Sequence, residues 1–321
     1  MGELVAPFPY FGGKSRAADQ VWEALGEVEN YVEPFAGSAA MLLAAPDGKR
    51  VETINDFDGF IANFWRAVAH DADLVAFHAD WPTNENDLFA RHSWLVRQRE
   101  NMTERLHADP DWYDAKIAGW WCWGACNWIG SGWCGGTGPW VHDGERLVKS
   151  DAGQGINRKL PHLSAGRGEH PRTVFIRDWM RALHERLRDV RVTCGDWRRV
   201  VKDSVTTRHG VTGLFLDPPY EKGAMDYGNG GMGLGIAADV RAWCAENGDN
   251  RKLRIVLCGH AGEHDALLDH GWHIRKWTAR KGYALTDEAV QNSASETLWC
   301  SPHCEREAPE IADLFAEAAN A

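Results

Sequence analysis

Residues 214–220 read LFLDPPY: an apolar run goes straight into an acid, two prolines and a tyrosine. Two successive prolines remove two backbone donors and fix two φ angles, so the corner is stiff and its carbonyls are free to accept. Asp217, Pro218, Pro219 and Tyr220 read either as a strand stopping at a turn or as a rigid bracket. Such a bracket would aim a carboxylate, a carbonyl and an aromatic face at one substrate. Other acids close apolar runs in the same way. Glu33 ends NYVE and opens a turn through Pro34, Phe35 and Gly37. Asp56 ends RVETIND about 23 residues later, and Asp196, followed by Trp197, ends VRVTCGD.

Each acid has a plain and a sharper reading. The turn after Glu33 lacks the glycines and lysine of a phosphate-binding loop. Its acid repels pyrophosphate and attracts a cation, such as the amino group or sulfonium of S-adenosylmethionine, while Gly37 lets backbone approach a ligand closely. Otherwise it is a simple strand-to-helix turn. An acid placed like Asp56 accepts from ribose hydroxyls; Asp56 or Asp58 can equally cap the next helix. Asp196 can accept from an adenine amine and Trp197 can cover a ring, although many strands end in Gly-Asp. Ahead of all these stands PYFGGKS (9–15), with Tyr10, Gly12, Gly13 and Lys14. It precedes the first strand, so it is not a phosphate loop, which follows one. Its lysine can face a carboxylate or a phosphate.

These residues need a scaffold, and the apolar patterning supplies one. NYVEPF and RVETINDF read as strands, GSAAMLLAA as a helix start, and FIANFWRAVAHD has helical apolar spacing at Ile61, Phe64, Trp65 and Val68. The rhythm resumes with a helix over 178–190, strands over 190–197 and 213–220, a helix over 237–248 and a strand over 252–260. WHIRKWTA (272–279) and SETLWCS (295–301) read as an edge hairpin. Strand and helix alternating at this pitch predict an α/β fold with a parallel sheet. Residues 72–172 lack that rhythm and read as an insert. Residues 112–140 carry seven of the chain's 17 tryptophans, interleaved with glycines. Most of them are expected in a core, with one or two available for base stacking. The Gly-dense segment 223–235 after the proline corner reads as a lid over the substrate or as a linker.

Composition sets outer limits. Hydrophobic residues at 44% and charged residues at 25% are ordinary for a globular chain. No apolar run approaches the ~18 residues of a membrane helix, and the first 25 residues lack a signal-peptide core, so a cytoplasmic location is expected. Eight cysteines without a CxxC pair are expected to be reduced and buried, with no metal, although Cys122, Cys126, Cys134 and His142 are a conceivable zinc set. The net charge of −11 argues against binding nucleic acid all over. Its distribution is uneven: from Gly144 to Arg208 there are 15 Lys/Arg against 8 Asp/Glu, while residues 305–321 form an acidic tail.

The order FGGK, VEPFAGSAA, TINDFD, a long insert, CGDW and DPPY resembles the Dam-type class of DNA adenine N6-methyltransferases, over roughly residues 7–70 and 173–301. The resemblance implies a Rossmann-like methyltransferase sheet with helices on both faces, built from residues 1–71 and 173–304. Residues 72–172 would then be the target-recognition domain. It implies S-adenosylmethionine as cofactor, held by Tyr10, Gly12, Gly13, Lys14, Glu33, Pro34, Phe35, Gly37, Asp56, Asp196, Trp197 and Asp217. The partner implied is double-stranded DNA, with Arg158, Lys159, Arg167 and Arg172 as candidate phosphate contacts, and a monomer or weak dimer is expected. Asp217 and the Pro218 carbonyl would accept from the target amine while Tyr220 stacks on a flipped-out base. One residue departs from the class: its loop usually reads FxGxG, and the last glycine is Ala39 here. Cytosine N4 methylation, an RNA substrate and non-catalytic nucleic-acid binding are the competing readings. Protein glutamine methylation is disfavoured, because related enzymes carry Asn in place of Asp217. A solitary methyltransferase leaves restriction–modification, host regulation and phage settings open.

Overall fold

The computed structural model describes residues 4–10, 14–128, 133–135, 140–142, 147–149, 172–220, 235–276 and 296–306. In chain order the elements are α1 (Ala18–Leu25), β1 (Asn30–Glu33), α2 (Ala40–Leu43), β2 (Val51–Asp56), α3 (Gly59–Ala79), α4 (Glu85–Ala108), α5 (Ala115–Asn127), β3 (Trp140–His142) and β4 (Leu147–Lys149). They continue with α6 (Arg172–Leu187), β5 (Val190–Cys194), β6 (Thr212–Leu216), α7 (Ile236–Asn247), β7 (Leu253–His260), β8 (His273–Lys276) and β9 (Glu296–Cys300).

Seven strands form one sheet in the order β5-β2-β1-β6-β7-β9-β8. The first five are parallel, whereas β9 runs antiparallel between β7 and β8. The expected hairpin is therefore present, but only β8 lies at the edge; Trp299 of β9 is fully buried. The strand order reverses between β1 and β6, the switch point at which open α/β sheets bind ligands beyond their strands' carboxyl ends. The register sets His260 opposite Glu296, so the start of β9 arrives at that same edge.

Period two sorts the strand residues onto two faces. Tyr31, Phe215, Val256, Cys258 and Leu298 point to one core, shared with α1, α2, α3, α5 and α6. Val32, Leu214, Leu216, Ile255, Leu257 and Trp299 point to another, closed by Val240 and Cys244 of α7. Helices thus cover both faces of a Rossmann-like sheet. The first core extends into the stretch after residue 72: Leu95, Met102 and Leu106 of α4 and Ile117 and Trp121 of α5 join Phe60, Phe64 and Val68 of α3.

Side-chain caps set where these helices begin. Asp58 accepts from Phe60 N, Asn84 from Asp87 N and Asp114 from Ile117 N, which satisfies otherwise orphaned donors. Asn63 and the Asp114 backbone exchange two hydrogen bonds of 2.9 and 2.8 Å, locking α5 onto α3. Buried Arg66 donates to the carbonyls of Asp109, Trp112 and Val192, tying the α4–α5 connection to the sheet. α3 bends at Asp71, whose φ of −145° and ψ of 67° are not helical.

Candidate active site

Four of the strand-ending acids converge because parallel strands deliver their last residues to one edge. Glu33 closes β1, Asp56 closes β2, Asp196 follows β5 and Asp217 follows β6. Lys14 enters this edge from the segment ahead of α1 and is 3% exposed. Its Nζ lies 3.5 Å from Asp217 Oδ2 and 3.0 Å from Glu296 Oε1. Burial alone would lower this ammonium, but the two carboxylates outweigh it and hold Lys14 above the usual lysine value. The lysine of FGGK therefore meets a carboxylate, one of the two partners its position allowed.

The proline corner is built around the same carboxylate. Asp217 Oδ1 accepts from the Tyr220 hydroxyl at 3.0 Å, and Cys258 Sγ is 3.3 Å from that hydroxyl. The Tyr220 ring carries Lys14 Nζ 5.1 Å from its centroid and meets His260 edge-on at 4.5 Å. Burial, with the Asp217 charge added, pushes the phenol far above its ordinary range, so Tyr220 stays a donor to Asp217. Pro218 is buried, and Pro219 half-buried, within the corner.

The two acids nearer β1 and β2 organise backbone. Glu33 is 2% exposed and accepts from the Tyr31 hydroxyl and from Leu42 N, both at 3.1 Å. It thereby tethers the four-residue helix α2, too short to stand alone. Burial pushes its carboxyl up to about 8, with the Asp217 charge adding to the rise and its hydrogen bonds opposing it. Asp56 accepts from Gly37 N at 2.9 Å and Asp58 N at 2.8 Å, and burial pushes it up to about 7. These two bonds use two of roughly four lone-pair sites on the carboxylate, so acceptor capacity remains for a ligand. Asn55 braces the edge by donating to the Pro34 and Gly195 carbonyls at 3.0 and 2.9 Å.

The turn between β1 and α2 needs unusual backbone at two positions. Gly37 has φ +47°, and an added Cβ would sit 2.3 Å from the Tyr10 ring. Tyr10 packs into the space a side chain at 37 would need. Ala39 stands at φ +51°, ψ +33°, the left-handed region. The departure from FxGxG thus falls where glycine would be free of strain.

The remaining expected residues spread out. Phe35 packs 6.1 Å from Trp197, and Trp197 is buried against α7. Asp196, half-exposed, caps a short turn through Arg198 N at 2.8 Å and pairs with the Arg198 guanidinium at 3.1 Å. Gly12, Gly13, Arg158, Lys159, Arg167 and most of 223–235 lie outside the described residues, as does the side chain of Arg172. Of the tryptophan-rich run, Trp121, Trp123 and Trp128 are buried in core clusters and Trp112, Trp120 and Trp133 pack partly buried. Glu296, Cys258 and His260 were not singled out from sequence; no local signal marks them, because only strand order brings them to Lys14 and Tyr220. Phe57 could have been noted: it follows Asp56 directly and is 47% exposed at the edge.

Together these groups form an edge that gains negative charge as Glu33 and Asp56 ionise, with one buried ammonium, a rigid carboxylate corner and a tight glycine turn. It can accept hydrogen bonds from an amine and attract a cation. Residues 10–109 match the family model for D12 class N6 adenine-specific DNA methyltransferase. No curated protein matches the chain.

Proposed function

We propose that this chain, whose residues 10–109 match the family model for D12 class N6 adenine-specific DNA methyltransferase, methylates adenine N6 in DNA using S-adenosylmethionine, on a base turned out of the duplex. The observation that carries this reading is the Asp217 carboxylate at the end of β6, held at once by Lys14 and Tyr220. The edge also suits the cofactor. Once ionised, Glu33 and Asp56 carry negative charge for a sulfonium and an ammonium, and Asp56 keeps acceptor sites for ribose hydroxyls. Bound there, S-adenosylmethionine supplies a methyl group already activated on its sulfonium.

The chain's own task is the target amine. An exocyclic amine shares its lone pair with the ring and is a poor nucleophile. Asp217 and the Pro218 carbonyl accept its two N–H groups, drawing the lone pair out of conjugation and fixing its direction. Each Asp217 oxygen has a second lone pair, so the amine can dock without breaking the Lys14 or Tyr220 contact. The proline corner keeps these acceptors in place, which avoids reorganisation during transfer. Tyr220 anchors Asp217 through its hydroxyl and offers its half-buried ring for stacking. A stacked base is out of reach, so the base must leave the duplex. Target recognition is assigned to the 72–172 stretch, with Arg158, Lys159, Arg167 and Arg172 on phosphates.

Asp217→Ala tests the bracket. Methyl incorporation should fall at least ~10²–10³-fold, the cost of removing one preorganised polar contact. Calorimetric binding of S-adenosylmethionine should persist. Turnover near the wild-type rate in this variant would refute the mechanism. Nucleoside mass analysis of methylated DNA should give N6-methyladenine; N4-methylcytosine alone would overturn the target.

A further inference from the structure

A cavity lies away from the sheet's carboxyl edge, among α3 beyond its bend, α4, α5 and α6. Its volume is about 710 Å³, and Trp81, Trp94, Trp120, Arg91, Arg97 and Arg177 line it. Ligand pockets commonly measure about 300–1,000 Å³, and no residue of the carboxyl edge lines this one.

Arg91 is the unusual group. It is 7% exposed, and its guanidinium is boxed by three indoles, 4.3 Å from the centroid of Trp123, 4.8 Å from Trp120 and 5.1 Å from Trp81. The rings satisfy the flat faces of the cation. They cannot accept in-plane hydrogen bonds, and Nη1 has no acceptor among the described residues. A buried donor left in this state is costly, more so when charged. Burial accordingly lowers the Arg91 guanidinium to about 10. Asp87, one turn earlier on α4, acts on Arg91 only through its charge and does not reach Nη1; its Oδ2 accepts from Trp81 Nε1 at 2.5 Å and Asn84 Nδ2 at 2.6 Å.

The rest of the lining and the adjoining Lys116 add indole faces and positive charge. Trp81 is 46% exposed, so an indole face meets solvent beside the orphaned donor. Lys116 Nζ sits 4.6 and 4.5 Å from the Trp94 and Trp120 centroids. Arg97 and Arg177, both exposed, add charge at the rim. With Arg91 they set three guanidinium groups against the carboxylates of Asp80 and Asp87.

We propose that this cavity is a second nucleotide site, in which an unstacked base lies on the indoles and an anionic phosphate meets the edge of Arg91. The nucleotide is either free in solution or part of a DNA strand held while the target base is at the catalytic edge. Base–indole stacking supplies affinity without demanding a sequence.

Calorimetry of the full chain tests it, using dAMP and, separately, a single-stranded oligonucleotide of about 12 nucleotides, each with and without excess S-adenosylmethionine. Saturable binding that survives the excess supports the site. Heat from dAMP identifies a free-nucleotide site, and heat from the oligonucleotide alone identifies a strand contact. Trp81→Ala should weaken either by about tenfold, and Arg97→Glu should weaken it in the same direction. Both positions are exposed, and thermal denaturation verifies that the variants fold. No heat from either probe, unchanged binding in both variants, or binding abolished by S-adenosylmethionine overturns the second site. Methyl transfer, measured separately, would then stand untouched.

Discussion

At the carboxyl edge, buried charge is held by opposite charge and by backbone; in the cavity lined by α3, α4, α5 and α6 the buried Arg91 is held by aromatic rings. Lys14 has two carboxylates within 3.5 Å, and Asp217 has the ammonium on one oxygen and a phenol on the other. Arg91 has three indoles and an Nη1 without an acceptor among the described residues. The first arrangement is closed and directional, suited to fixing a carboxylate against a reacting amine. The second is tolerant in direction and incomplete, suited to a planar anion that arrives and leaves. Low dielectric strengthens a satisfied ion pair and penalises an unsatisfied donor, so removing the cation should have opposite weights in the two places.

The sharpest break of that comparison is a matched pair of substitutions. Lys14→Met leaves Asp217 and Glu296 without their cation and should destabilise the chain by about 3–5 kcal/mol. Arg91→Met keeps an unbranched apolar stem and loses a half-satisfied charge, so its cost should stay within about 1 kcal/mol, cation–π attraction offsetting desolvation. Urea denaturation of both variants decides it; equal losses would erase the distinction.

Changing pH probes the edge as a whole. Glu33 and Asp56 have folded values of about 8 and about 7, above the unfolded carboxylate range. The folded chain therefore binds protons more tightly than the unfolded one. Their contribution to stability is full below about pH 4, falls as pH rises and is lost above about 8. Asp56→Asn should flatten the part of this slope between about pH 4 and 7 in denaturation curves. Binding of a cationic ligand at the edge should strengthen as the same groups ionise.

Two smaller effects test the turn between β1 and α2. Gly37→Ala drives a Cβ into the Tyr10 ring at a positive φ and should cost about 2 kcal/mol, read as a lowered melting temperature. Ala39→Gly relieves a left-handed alanine, at the cost of a more flexible unfolded chain, and should stabilise by about 0.5–1 kcal/mol. A destabilised Ala39→Gly would mean that the left-handed backbone is not the source of strain.

Much of the edge was legible in sequence because its signals are local. An apolar run ending in an acid marks the carboxyl end of a strand, and Glu33, Asp56, Asp196 and Asp217 each carry that mark. Parallel pairing then delivers them to one edge whatever the details. The second region was less legible. Trp81, Trp94 and Arg91 stand outside the tryptophan-rich run of 112–140, and nothing in their spacing joins them to Trp120 and Trp123. Their meeting depends on α4 and α5 folding onto α3, through contacts such as Asn63 with Asp114.

The sequence by itself determined the stiff Asp-Pro-Pro-Tyr corner, the glycine at 37 and the acids that close four strands, since each follows from backbone chemistry and period-two burial. Tertiary structure alone decided which cation Asp217 meets and what surrounds Tyr220. Glu296 lies 282 residues from Lys14, and it reaches that lysine because β9 enters antiparallel between β7 and β8. Cys258 and His260 stand beside Tyr220 because β7 pairs with β6. Such partners are set by which strands pair, a long-range choice that no window of residues contains.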